Sequence, residues 1–198
     1  MSGLSTQAAT KHALADRGND LYETPPVAVR ALLKAEKLPH RIWEPACGPG
    51  SIVKELRGAG HDVLATDLVD YRSPFQDQSG FDFLMPFPLP DGIEAIVTNP
   101  PFKNAEEFVA RALVSCPRVY MLLRLAFLES ERRRSILDVH SLARVYVFRN
   151  RLPMMHRAGQ GAVAAQKHSS SALAFAWYVW DRFHNGPVEL KRISWTAA

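Results

Sequence analysis

The sequence predicts a doubly wound α/β fold with a mostly parallel sheet, and three observations carry that prediction. Short apolar runs of strand length recur at 41–44, 62–66, 94–98, 119–123 and 144–148. Segments of helical spacing alternate with them. A glycine-containing hexapeptide, Pro45-Ala46-Cys47-Gly48-Pro49-Gly50, joins the first run to the helix after it. About seven strands with helices on both faces, in a single domain over 21–198, are expected.

The elements follow in order. Residues 1–20 are polar and Ala-rich and are expected to form a flexible tail. They lack the apolar stretch of a secretory signal. A helix is expected over 26–37, with Thr24 as N-cap, Pro25 and Pro26 in its first turn, and Pro39 closing it. Residues 41–44 form a strand, 51–58 a helix capped by Gly58 or Gly60, and 62–66 a second strand ending on Asp67. Residues 68–92 are rich in Pro, Gly, Asp and Gln and read as loop, with a short strand or turn near 81–84. Then come a strand at 94–98, a helix at 105–115, a strand at 119–123, a charged helix at 129–137, a strand at 144–148 and a final strand at 172–180. No internal repeat or linker divides the chain.

The bulk numbers describe an ordinary globular protein. The chain has 198 residues, of which 47% are hydrophobic and 22% charged. Its net charge of +4 is compatible with a polyanionic partner without establishing one. The two cysteines, Cys47 and Cys116, have no neighbours at metal-ligand spacing, so neither a disulfide scaffold nor a metal site is expected. A reducing, cytoplasmic location fits best. No apolar run reaches membrane-spanning length. The oligomeric state is left open, a dimer among the options.

Two constellations carry chemistry. In the first, glycines between a strand and a helix let a ligand approach the backbone, and the helix N-terminus offers free N–H groups. Alone, Gly48-Pro49-Gly50 also fits a packing turn. Asp67 ends the next strand about 20 residues on, where dinucleotide-type folds place an acid for ribose hydroxyls. This leaves NAD or S-adenosylmethionine as the cofactor. Val53 breaks the full Gly-x-Gly-x-x-Gly pattern, which weighs against NAD.

The second is Asn99-Pro100-Pro101-Phe102, directly after a buried strand. In open parallel sheets, ligands bind beyond the carboxyl ends of the strands. An exocyclic amine has two N–H donors and a lone pair delocalised into its ring. The Asn99 side-chain oxygen and the Pro100 carbonyl can accept one N–H each. That favours a more tetrahedral nitrogen, able to attack a sulfonium methyl in line. Pro100 and Pro101 stiffen the loop, and Phe102 offers a flat face for a base. Neither a metal nor a general base is required, since the amine can lose its proton to solvent after transfer.

On these residues the chain resembles the class I, Rossmann-like S-adenosylmethionine-dependent methyltransferases that act on nitrogen. It is most similar to the adenine-N6 and cytosine-N4 DNA methyltransferases, especially small phage- and prophage-type members. The resemblance covers about residues 21–180. It implies that Glu44, Ala46, Cys47, Gly48 and Gly50 belong to the cofactor loop. It also implies that Asp67 binds ribose, and that Asn99, Pro100, Pro101 and Phe102 form the catalytic tetrad. Tyr22, Thr24 and Pro25 resemble the upstream element that covers the methionine end of the cofactor, and Asp82 the acid that meets the adenine amino group. Pro49 stands where Thr or Ser is frequent. The implied activity is methylation of a base amino group, with adenine N6 in DNA foremost. RNA adenine, DNA cytosine N4, protein glutamine, and a non-catalytic subunit of the same fold are the rivals. A target base in a duplex would have to leave the stack.

Recognition regions are short here: only 68–92 and 149–171 are available. Recognition is therefore expected to be short or relaxed, or delegated to a partner or second subunit. The segment 149–171 is long for a connection and carries Arg149, Arg151, His156, Arg157, Lys167 and His168 without an acid. It reads as either a solvated hairpin or a clamp on a phosphate backbone. Arg132, Arg133 and Arg134 read as a solvated helix face, with phosphate contact as the alternative. Trp177, Met154 and Cys47 read as packing.

Overall fold

The structure, a computed structural model, describes residues 21–139, 141–156 and 173–196. The expected tail at 1–20 lies outside the described residues. So does most of the basic segment, including Arg157, Lys167 and His168. The chain opens on a two-residue strand, β1 (Tyr22–Glu23), followed by α1 (Pro26–Ala35). Pro25 is the N-cap residue of α1, with Pro26 at its first position. Thr24 does not cap it, because its hydroxyl is engaged elsewhere.

Next come β2 (Arg41–Glu44), α2 (Ser51–Gly58), β3 (Asp62–Ala65) and β4 (Ala95–Thr98). A 3-10 turn, Phe102–Asn104, leads into α3 (Ala105–Ser115), then β5 (Arg118–Arg124). The charged helix expected at 129–137 is reduced to a 3-10 turn, Glu131–Arg133, and one helical turn, α4 (Arg134–Leu137). Only Ile136 is buried in that turn, so little apolar burial supports a longer helix there. The chain continues through β6 (Leu142–Phe148), β7 (Met155–His156), β8 (Phe175–Asp181) and β9 (Glu189–Ile193). β8 is therefore not the final strand. Strand β9 has a mostly exposed, charged sequence, which hides it from a hydrophobic pattern.

Seven strands form one sheet in the order β3-β2-β4-β5-β8-β6-β9. Neighbours are parallel except at β8, which runs antiparallel to both β5 and β6. β1 and β7 pair separately, with Tyr22 opposite His156 and Glu23 opposite Met155. The region 81–84, expected as strand or turn, is turn.

The pleat sorts side chains onto two cores. In β8, Phe175, Trp177 and Val179 join the core under α1 and α2. Ala176, Tyr178 and Trp180 join the core under α3. All six are buried, as expected for a strand covered on both faces. The indole N–H groups of Trp177 and Trp180 donate to the Ala28 and Ile136 carbonyls, both at 2.9 Å, so their burial leaves no donor unpaired. Trp177, Met154 and Cys47 are buried, in keeping with the packing expected of them. Among the described residues no helix is long and apolar enough to cross a membrane, and no cluster of His, Cys, Asp and Glu could hold a metal.

Candidate active site

β2, β3 and β4 are parallel neighbours and end at the same edge of the sheet. That edge brings Glu44, Asp67 and Asn99 to one cleft of about 390 Å³. Tyr22, Thr24, Ala46, Cys47, Gly48, Asp82, Pro100 and Pro101 also line it. Pro25, Gly50 and Phe102, singled out from the sequence, do not.

The loop after β2 owes its shape to its glycines. Gly48 has φ +54°, and an added Cβ would come 3.0 Å from Leu21 Cδ1. Gly50 has φ +94° and serves packing: its Cβ would fall 2.2 Å from the Phe75 Cβ. Gly48 N–H donates to Asp67 Oδ2 at 2.8 Å, and Val69 N–H to Oδ1 at 2.9 Å. The acid is thus fixed by both the loop and its own strand end. Burial raises its pKa, and these backbone donors offset part of the rise.

Glu44 is buried at the end of β2, and its Oε2 has no hydrogen-bond partner among the described residues. Burial first, and the nearby Asp67 carboxylate second, push its pKa well above the usual carboxylate range. Cys47 is likewise driven upward by burial, then by Glu44 and Asp67. A thiol held protonated is a poor nucleophile. The buried acids favour a cationic guest.

Asn99 is the best defined member. Its Nδ2 donates to the Tyr22 carbonyl at 2.9 Å and to Thr24 Oγ1 at 3.0 Å. A carbonyl can only accept, so this contact fixes which end of the amide is nitrogen. The Oδ1 is buried without a partner. A buried orphan acceptor costs about 1–3 kcal/mol, so it marks a place where a donor is wanted.

Phe102, the last residue of the tetrad, packs among other side chains rather than lining this cleft. Its ring centroid is 4.4 Å from that of Tyr22 and 5.7 Å from that of Phe175, and the Arg124 guanidinium stands 4.4 Å from it. Asp82 accepts the Leu84 N–H at 2.9 Å and is exposed at the cleft. Phe81, Phe83 and Phe87 pack edge-on against Trp43, with centroids 5.1–5.5 Å away, and hold its loop against the sheet.

The structure adds cleft residues that sequence reasoning passed over. Leu68 follows Asp67 and is 61% exposed although apolar, a signal available in the sequence as an apolar residue with no strand to bury it. Glu23 and Ser51 face each other at the rim, Ser51 Oγ donating to Glu23 Oε1 at 2.6 Å. No sequence signal pairs residues so far apart. Of the basic candidates, Arg149 and Arg151 are exposed beyond β6, and His156 belongs to β7. Arg132 pairs with Glu106 at 2.9 Å and Arg134 with Glu131 at 3.4 Å, as a solvated face would. Arg133 instead folds over the Phe127 ring.

Comparison with protein-family models finds no match, and neither does comparison with curated protein sequences. Solved structures do match. The modification subunit assigned to a type I restriction enzyme of Vibrio vulnificus aligns with TM-score 0.56 and 16% identity, over 93% of this chain. The chain spans 50% of that subunit's length. A protein assigned to the class I S-adenosylmethionine-dependent methyltransferases of Listeria monocytogenes gives 0.59 and 13%, over 88% of this chain and 67% of its own. A protein assigned as an RNA methyltransferase of Pyrococcus horikoshii gives 0.56 and 12%, over 82% and 88%. At such identities the likeness is one of architecture: this chain has the Rossmann-like fold of S-adenosylmethionine-dependent methyltransferases.

Proposed function

We propose that the chain is an S-adenosylmethionine-dependent methyltransferase acting on the exocyclic amine of a nucleic-acid base, with adenine N6 in DNA as the foremost substrate. One observation carries this reading. The buried, unpartnered Asn99 Oδ1 stands in the cleft while its amide nitrogen is clamped by Tyr22 and Thr24. An acceptor pinned in this way is already oriented for an amine N–H, so little of its own freedom is lost on receiving one.

The residues present fit the cofactor. The orphaned Glu44 Oε2 suits an ammonium group. Asp67 keeps lone pairs for ribose hydroxyls after accepting from Gly48 and Val69. Leu68 offers an exposed apolar face for a purine, and Asp82 an acceptor for its amino group. When bound, S-adenosylmethionine would supply the electrophilic methyl of a sulfonium.

The chain's own residues do the rest. Asn99 Oδ1 takes one N–H of the target amine, and the Pro100 carbonyl takes the other. Both acceptors draw the nitrogen lone pair out of conjugation. The paired prolines hold that geometry, and Phe102 supports the base. Held in this way, the nitrogen would present its lone pair to the methyl that the cofactor would supply, and its surplus proton would pass to water. The basic residues at the end of β6 and beyond, Arg149, Arg151, His156, Arg157, Lys167 and His168, remain candidates for backbone contact.

The test is incubation of the chain with methyl-labelled cofactor and, separately, DNA, RNA and protein, followed by digestion. Label recovered as N6-methyladenine from DNA is the expected result. Label on glutamine, or on no polymer, would overturn it.

A further inference from the structure

The tetrad has a second side. Phe102 lines another cleft, of about 190 Å³, together with Lys103, Glu106, Arg124, Arg132 and Arg133. Three of these cations, Lys103, Arg132 and Arg133, already have partners. Arg132 and Arg133 lie 2.9 and 3.6 Å from the Glu106 carboxylate. Arg133 also donates to the Phe127 and Glu129 carbonyls at 3.1 and 3.2 Å.

Arg124 differs from them. Like that of Arg133, its Nε is buried without a hydrogen-bond partner, but unlike Arg133 its side chain forms no ion pair or hydrogen bond among the described residues. Among the described residues its side chain's one specific contact is the Phe102 ring, 4.4 Å away. Arg124 ends β5, opposite Phe175 of β8, so its backbone is held by the sheet. The ring it covers is braced by Tyr22 and Phe175.

We propose that this cleft takes the acceptor nucleotide and that Arg124 binds its phosphate while the base replaces the guanidinium on the Phe102 ring. The inference rests on the reading of the tetrad as an amine-methylating site. The exchange is favourable on general grounds. A guanidinium lying on an aromatic ring is held less strongly than one forming paired, charge-assisted bonds to a phosphate. The planar fork of arginine matches phosphate oxygens. Any base has a π-face to offer the vacated ring. The free enzyme thus keeps its base shelf covered and its cation partly sheltered, and a nucleotide satisfies both at once. A glutamine-bearing peptide would bring neither an aromatic ring nor a phosphate and would leave Arg124 unpaired.

The experiment measures binding of labelled single-stranded DNA and RNA 12-mers to the full chain across a salt series, for the native protein, Arg124→Gln and Arg124→Lys. Cofactor affinity and thermal midpoint serve as fold controls. For Arg124→Gln we expect binding about tenfold weaker at low salt and a salt slope shallower by about one, the loss of one phosphate contact. Arg124→Lys should keep the slope. A merely structural arginine would not move it. The arm in which the slope falls identifies the polymer, and an unchanged slope in both arms overturns the proposal. Methyl transfer measured alongside separates the two ideas. Intact transfer with an unchanged slope sinks the Arg124 assignment alone. A changed slope without transfer to any base sinks the amine-methylation reading, and with it the assignment of this cleft to an acceptor.

Discussion

The two clefts flanking the tetrad have opposite chemistry. The larger is lined by Glu23, Glu44, Asp67 and Asp82, the smaller by Lys103, Arg124, Arg132 and Arg133 with Glu106 between them. Only the tetrad and the turn after it separate them, and Lys103 reaches both. The contrast shows that the site is built across a step in charge. One side suits a cationic small molecule, the other a polyanion, and the neutral amide of Asn99 belongs to the first. A symmetric pocket could not sort two guests in this way.

Several substitutions would break or sharpen that contrast. The largest effect is expected at the boundary itself. Asn99→Ala should lower kcat by about 10²–10³-fold, the usual loss when one preorganised polar group is removed. Cofactor affinity measured by calorimetry should stay nearly unchanged. Full activity in this variant would refute the proposed mechanism.

On the acidic side, Asp67→Ala should weaken cofactor binding by about 10–100-fold, because hydrogen bonds to a charged group are worth roughly 1.5–3 kcal/mol. Base binding in the second cleft should not follow it. A parallel loss of both affinities would mean that the clefts are not independent.

Glu44→Gln should weaken the cofactor about tenfold and yet stabilise the fold at neutral pH. The sign follows from linkage. The folded state holds the Glu44 proton more tightly than the unfolded state does. Stability therefore falls as pH rises from the ordinary carboxylate pKa through the raised one. The advantage of the glutamine variant should accordingly grow as pH rises through that window and vanish below it, as read in urea midpoints from acid to neutral pH. An advantage that persisted in acid would contradict the assignment.

The smallest effect on function is expected at Gly50. Gly50→Ala combines a positive φ with a 2.2 Å clash against Phe75. It should cost about 1–3 kcal/mol of stability. The folded fraction should bind cofactor normally, since Gly50 does not line the cleft.

Legibility in the sequence follows the same divide. The acidic side was readable because its residues close strands in order. Glu44, Asp67 and Asn99 each follow a short apolar run, and parallel sheets place ligands at such ends. The strands and helices between residues 26 and 124 could be recognised for the same reason, since burial on two faces leaves a strong hydrophobic signal. The basic side was not readable. Arg124 looks like the polar end of any strand, and its lack of an ion-pair partner among the described residues is a fact of three dimensions. β1, β7 and β9 escaped notice because two-residue strands and exposed edges carry no periodicity. Thr24 was misassigned as a helix cap because the same hydroxyl that fits an N-cap also fits the Asn99 amide, and only the tertiary structure decides between them. The long charged helix failed because charge pattern alone cannot reward a helix with one buried residue.

The pairing of β1 with β7 has a consequence for the order in which the protein becomes competent. Tyr22, whose carbonyl holds the Asn99 amide, is paired with His156. During synthesis the ribosome releases the glycine loop, Asp67 and the tetrad well before it releases that partner. The segment that carries them can therefore collapse early, while the Asn99 amide takes its final setting only once β7 has emerged. Contacts so distant in sequence close late because the intervening loop entropy must be overcome first. Nascent chains halted before residue 155 would then be folded in part, with Tyr22 still lacking its strand partner.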